Sequence, residues 1–117
     1  MSKNNSHALG NCEEVTPPED YLQRAAFLAK SLSDENRLRI LLCLGNGKKS
    51  VSQIVEGLNL SQPLISHHLK ELRRSLLVNV ERRGPFVYYE LSDPRIVDIL
   101  MSLETLALKL LTQRTSF

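Results

Sequence analysis

The side chains most able to do chemistry lie between Leu60 and Leu77, in the run LSQPLISHHLKELRRSLL. Gln62, Ser66 and His67 offer short hydrogen-bonding groups, and Lys70, Arg73 and Arg74 follow as cations. Ile65, Leu69, Leu72 and Leu76 recur at helical spacing, so a helix here carries an apolar stripe on one side and the polar set on the other. Ser61 is a ready N-cap, because its hydroxyl can accept an amide N–H of the first turn. Pro63 falls in that turn, where a missing N–H costs little. An amphipathic helix with a solvated face is the plain alternative. The preceding segment argues for more. Val51, Ile54, Val55 and Leu58 predict a short helix, and Gly57-Leu58-Asn59-Leu60 a tight turn into Ser61. A helix, a turn, and a second helix whose outer face is polar and then basic make a helix-turn-helix.

The function classes narrow accordingly. His67-His68 is the one titratable pair that could suggest catalysis, but adjacent helical residues point about 100° apart. No nucleophile motif, phosphate loop or paired-carboxylate constellation is present, so an enzyme is not expected. The net charge of +2 says little. Its distribution says more: five cations (Lys70, Arg73, Arg74, Arg82, Arg83) stand against two acids (Glu71, Glu81) between Gln62 and Arg83. A local basic stripe is the electrostatic footprint of a nucleic-acid face. His68 leans toward the apolar stripe and is expected to pack or cap.

The elements that must position this face follow from the rest of the chain. Its 117 residues suit one domain. Residues 1–18 read as a flexible arm, 19–112 as the folded domain and 113–117 as a tail. Tyr21 to Leu32 predicts a first helix, with Leu22, Ala25, Ala26 and Ala29 on one face. Ser33 is the N-cap candidate of a second, with Asp34 and Glu35 in its first turn and Leu38, Leu41 and Leu42 inward. Gly45-Asn46-Gly47 stops it. Cys43 follows Arg39 by four residues; a guanidinium can activate a thiol, whereas a small buried hydrophobe is the plainer reading. After Leu77 the period changes to two. Val78 and Val80 alternate with polar residues, Arg82-Arg83-Gly84-Pro85 is a turn, and Phe86 to Leu91 is rich in β-branched and aromatic residues. This is a hairpin with arginines at its tip, the wing of a winged helix.

Asp93-Pro94 opens the last helix, with Asp93 as cap. From Ile96 to Leu111 that helix is apolar most of the way round, so it needs covering on two sides, one of them a partner copy. The expected fold is mainly α with a minor β part: a winged helix-turn-helix of about five helices plus a two-stranded hairpin wing, dimerising through the terminal helices. No apolar run has the length of a membrane span and no signal peptide opens the chain, which points to the cytoplasm. Two cysteines far apart, Cys12 and Cys43, make no disulfide framework.

Three motifs carry a resemblance. Leu32-Ser-Asp-Glu-Asn-Arg-Leu-Arg-Ile-Leu, then Ser61-Gln-Pro-Leu-Ile-Ser-His-His-Leu-Lys-Glu-Leu, then Arg82-Arg-Gly-Pro-Phe-Val-Tyr-Tyr-Glu-Leu resemble the ArsR/SmtB family of bacterial repressors, over roughly Tyr21 to Leu100. The resemblance implies a dimeric winged-helix repressor that leaves its operator when a metal, metalloid or oxidant binds. It implies that Gln62, Ser66 and His67 approach base edges in the major groove and that the hairpin tip lies near the minor groove. The expected DNA-binding set is Ser61, Gln62, Pro63, Ser66, His67, Lys70, Arg73, Arg74, Arg82 and Arg83.

The sensing sites of the family are not matched. Ser50 and Ser52 stand where a Cys-x-Cys pair would, and serine is a poor soft-metal ligand. Asp93 survives at a second site, but Arg95, Leu106 and Lys109 occupy the other ligand positions and cannot hold zinc. Neither a metal site nor a cofactor is therefore expected. Cys12 and Cys43 remain as effector thiols, and with His7 they could hold a soft ion. The reading is a DNA-binding repressor acting on a palindromic operator as a homodimer, released by a thiol-reactive effector. The alternatives are a winged-helix protein-interaction module and an effector-independent regulator.

Overall fold

A computed structural model describes residues 19–115. His7, Cys12 and the whole of the expected arm lie outside the described residues. The chain divides into two units between Lys30 and Ser31. The first contributes helix α1, Glu19–Ser31, up to Lys30. Within α1, Arg24 pairs with Asp20 at 3.0 Å and its guanidinium lies 5.8 Å from the centre of the Tyr21 ring.

The second unit begins at Ser31 and holds the helix-turn-helix and the wing. Helix α2 spans Glu35–Cys43. Its cap is Asp34, not Ser33 as expected: the Asp34 carboxylate accepts the Arg37 amide at 3.1 Å. A full negative charge is the better partner for a helix N-terminus than a hydroxyl. A 3₁₀ turn, Leu44–Asn46, follows, and Gly47 (φ 137) leads into a two-residue strand β1, Lys49–Ser50. Ser50 then caps α3, Val51–Leu58, in a reciprocal capping box with Gln53. Asn59 takes the left-handed conformation (φ 55) and stops α3, so Gly57 and Leu58 stay helical and the turn into Ser61 is short. Helix α4 is Gln62–Arg74, capped by Ser61.

Strands β2, Val78–Arg83, and β3, Phe86–Leu91, form the hairpin. It differs from expectation in two ways. The sheet has a third member, because β1 pairs antiparallel with β3 (Lys49↔Tyr89, Ser50↔Tyr88). Two residues are too few to show a period, which is why β1 left no mark in the sequence pattern. Secondly, Arg82 and Arg83 are not turn residues but the end of β2, opposite Val87 and Phe86. The turn is Gly84-Pro85 alone, and a positive φ at Gly84 (61°) followed by proline matches a type II′ hairpin.

Helix α5, Arg95–Thr115, runs into the expected tail, since Gln113 and Arg114 are good helix formers. Only its first turns reach the core, through Ile96 and Leu100. Ile99, Met101, Leu103, Leu106, Leu108, Leu110 and Leu111 are exposed. No helix among the described residues is long and apolar enough to cross a membrane.

The core joins Ile40, Leu41 and Leu44 with Ile54 of α3, Ile65, Leu69 and Leu72 of α4, and Leu77, Val78, Ile96 and Leu100. Each such burial stabilises by roughly 1.5–3 kcal/mol. Leu76 departs from the expected stripe: it is 74% exposed. Helix α4 ends at Ser75 in a Schellman motif, with Leu76 N–H on the Arg73 carbonyl and Leu77 N–H on that of Leu72. Leu76 fills the left-handed position (φ 69) that normally takes glycine, and the reversal sends Leu77 inward in its place. A side chain costs about 1–2 kcal/mol in that conformation. Leu76→Gly should therefore stabilise the protein by about 0.5–1 kcal/mol after the entropy of glycine is subtracted. Urea unfolding measures it, and a loss of stability would refute the strain.

Candidate nucleic-acid interface

Helix α4 presents two unlike faces. Ile65, His68, Leu69 and Leu72 are buried. Ser61, Gln62, Pro63, Ser66, His67, Lys70, Arg73 and Arg74 are all exposed. The sequence-predicted set on α4 is thus brought together on one surface. The Ser61 hydroxyl, however, is committed to the helix, accepting the Leu64 amide at 3.3 Å. Gln62, Ser66 and His67 are exposed, the His67 ring lying 5.2 Å from that of His68, and short polar groups at a helix front can reach base edges.

The cations differ in how far they are engaged. Arg74 pairs with Glu71 at 3.2 Å. Arg83 pairs with Glu81, which also binds Lys48. The ammonium of Lys48 and then the guanidinium of Arg83 hold the Glu81 carboxyl below its ordinary range. Lys70, Arg73 and Arg82 have no ion pair among the described residues. Lys48 was missed by sequence reasoning, because only the pairing of β1 with β3 brings it to β2. Lys49 is spent on structure, donating to the Cys43 carbonyl and to Asn46 Oδ1.

Behind the exposed face, His68 is 5% exposed. Its Nε2 faces the Asp34 carboxylate at 3.6 Å, while Nδ1 is buried without a hydrogen-bond partner. The cap of α2 is thus electrostatically tied to the middle of α4. Burial pulls the His68 imidazole below its ordinary 6.5; Asp34 and Glu71 oppose this, whereas Arg37 and His67 reinforce it. Asp34 is itself held low, first by the Arg37 amide and then by His68.

Around the other candidate groups the structure is plain. Cys43 is half-buried and packs on the core, and a Cβ placed on Gly57 would lie 4.0 Å from its sulfur. Arg39 pairs with Glu35 at 3.9 Å. Asp93 accepts the Arg95 amide at 2.8 Å and holds its guanidinium at 2.7 Å, which lowers the carboxyl to about 2. The surviving acid of the family's helix site is therefore occupied by its neighbour's cation. No three His, Cys, Asp or Glu side chains among the described residues come together as a metal site.

Comparison with known proteins agrees with this geometry. Residues 34–80 match the family model described as "Bacterial regulatory protein, arsR family". The HTH-type transcriptional repressor SmtB of Mycobacterium tuberculosis is 35% identical over 85 residues, 73% of this chain and 63% of the relative. The chain thus spans less than two thirds of that relative's length. The transcriptional repressor SdpR of Bacillus subtilis is 38% identical over 69 residues, 59% of this chain and 77% of the relative. The solved structure of HlyU from Vibrio cholerae superposes with a TM-score of 0.67 at 35% identity, over 75% of this chain and 96% of that one. HlyU is named a transcriptional activator.

The buried histidine gives a pH dependence of definite sign. As pH falls below 6.5, the unfolded chain takes up a proton that folded His68 refuses, so stability drops until His68 itself protonates. Above that range His68 adds no slope. Asp34, whose carboxyl is held below its ordinary range, keeps its charge over this interval. Urea titrations at about pH 7.5 and about pH 5.5 should show wild type losing more stability than His68→Gln. Equal losses would contradict the assignment.

Proposed function

This chain belongs to the ArsR family of bacterial regulatory proteins, and we propose that it is a repressor that binds a palindromic operator in double-stranded DNA as a homodimer. The observation that carries this reading is the two-faced helix α4, whose buried stripe leaves Gln62, Ser66 and His67 exposed ahead of Lys70, Arg73 and Arg74. Gln62 can pair with an adenine edge, and Ser66 and His67 can donate or accept more loosely. Ser61 and Pro63 frame that end of the helix. Lys70, Arg73 and Arg74 serve as phosphate anchors, and Arg82 and Arg83 as wing contacts. A protein-binding winged helix would call for apolar groups where these polar ones stand. No catalytic step belongs to this reading, and it needs no cofactor.

The dimer is supported by α5, whose leucines from Leu103 to Leu111 are exposed in the single chain. Leu106→Glu should convert a dimer to a monomer in light scattering at micromolar protein and abolish operator binding with it. A monomeric wild type would refute this part.

Release by a thiol-reactive effector is the regulation assigned to Cys43 and Cys12. The half-buried position of Cys43 against the core, in ordinary contact range of Gly57, supports it, since a bulky group added to the sulfur would meet α3. Retention of induction in both Cys43→Ser and Cys12→Ser would remove the thiol sensor and leave an organic ligand or no effector.

The reader and anchor roles are tested on a duplex selected from a random pool. Gln62→Ala should lower discrimination between that duplex and a scrambled one, by about 1–3 kcal/mol if the adenine pair is bidentate. Arg73→Ala should weaken both alike and reduce the salt slope by about one unit. The opposite pattern would overturn the assignment.

A further inference from the structure

We propose that Phe86 is the wing's shape-reading residue, an aromatic wedge that enters the minor groove beside each half-site and favours an easily unstacked pyrimidine–purine step there. The inference rests on the DNA-binding reading above and adds a specificity determinant to it.

The hairpin register places Phe86 directly opposite Arg83, immediately after the Gly84-Pro85 turn. Strand alternation puts it on the face of Glu81, Arg83 and Tyr88, away from the face on which Tyr89 and Leu91 pack against the core. The core therefore has no use for this ring, which is 60% exposed. It is nonetheless braced. The Tyr88 ring, half-buried, lies 6.4 Å behind it at a tilt of 38°. A two-residue turn with a fixed proline φ limits the motion of the strand end that carries it. A stiff, projecting phenylalanine on an outer face offers apolar surface to an occupant that would bury it.

Charge selects the occupant. Arg83 stands opposite the ring on its own face and Arg82 on the reverse face of the same strand end, while Glu81, farther from the turn, is already bound by Lys48 and Arg83. The tip is cationic around an aromatic centre, which fits a polyanion with apolar base faces. Apolar side chains inserted between base steps are a recurrent device of minor-groove binders, and TA and CA steps unstack most easily. An arginine alone favours a narrow A-tract, whereas a wedge favours a flexible step, so the two contributions are separable.

The test uses the full chain and the selected duplex with the flanking step set to TA, AA or GC, and 2-aminopurine in place of adenine in the TA and AA steps. Wild type should prefer TA over AA by roughly tenfold and raise the 2-aminopurine fluorescence on binding. Phe86→Ala should lose both effects yet keep its discrimination between operator and scrambled half-sites, and Phe86→Leu should keep part of each. A Phe86→Ala protein that retains the TA preference and the fluorescence rise overturns the wedge. So does a Phe86→Ala protein that changes oligomeric state with DNA selectivity intact, which would assign the ring to a protein contact. Absence of DNA binding by wild type would instead overturn the functional reading itself.

Discussion

The basic face that this protein presents depends on how helix α4 is rotated. Ile65, Leu69 and Leu72 anchor it in the core at exposures of 1% or less. Because a helix is rigid, fixing three side chains on one stripe fixes the direction of all the others. Turning α4 by one residue would bury Ser66 and expose Ile65, and the apolar loss alone would be about 2 kcal/mol or more. His68 adds a polar constraint to this apolar one. It sits within the buried stripe against Asp34, and Asp34 is also the cap of α2. One carboxylate thus terminates one helix and faces the middle of another. The orientation of the exposed face is set from behind, by groups that a ligand on that face would never touch.

The surface charges form a graded set rather than a uniform basic patch. Lys70, Arg73 and Arg82 stand without ion pairs among the described residues, whereas Arg74 and Arg83 are held by acids of their own segments. A paired arginine must give up its carboxylate, or share it, before it can bind a phosphate, and exposed pairs of this kind exchange readily. Lys48 reaches Glu81 from outside the hairpin and so ties β2 to the segment before α3. The wing is thereby held to the helix-turn-helix by charge as well as by the β1–β3 pairing.

Much of this was legible in the sequence. The stripe of Ile65, Leu69 and Leu72, the Ser61 cap, the hairpin and the inward lean of His68 all follow from spacing and from side-chain preference. What was not legible has physical causes. Strand β1 is too short to show a period, so the third strand and the ion pairs of Lys48 were invisible. Leu76 continues the helical spacing of the stripe; the Schellman reversal that exposes it leaves no mark when leucine stands where glycine is usual. The sequence marks Ser33 as the cap and Asp34 as a first-turn acid; the Arg37 amide, bound by Asp34, moves the cap one residue on. Arg82 and Arg83 were placed in the turn because Gly84-Pro85 marks a turn without marking its length. The exposed ring of Phe86 was absorbed into a strand pattern that accounts for its type but not for the face it occupies.

The proposed seat of the α4 face in a major groove is open to a 7-deazapurine scan of the selected duplex, which removes the N7 acceptor of one purine at a time from the major-groove edge. Binding should fall at two clusters of positions, centred one helical turn or about 34 Å apart and related by the dimer axis. Binding that is indifferent to every substitution would contradict it, as would losses confined to a single cluster with a dimer bound.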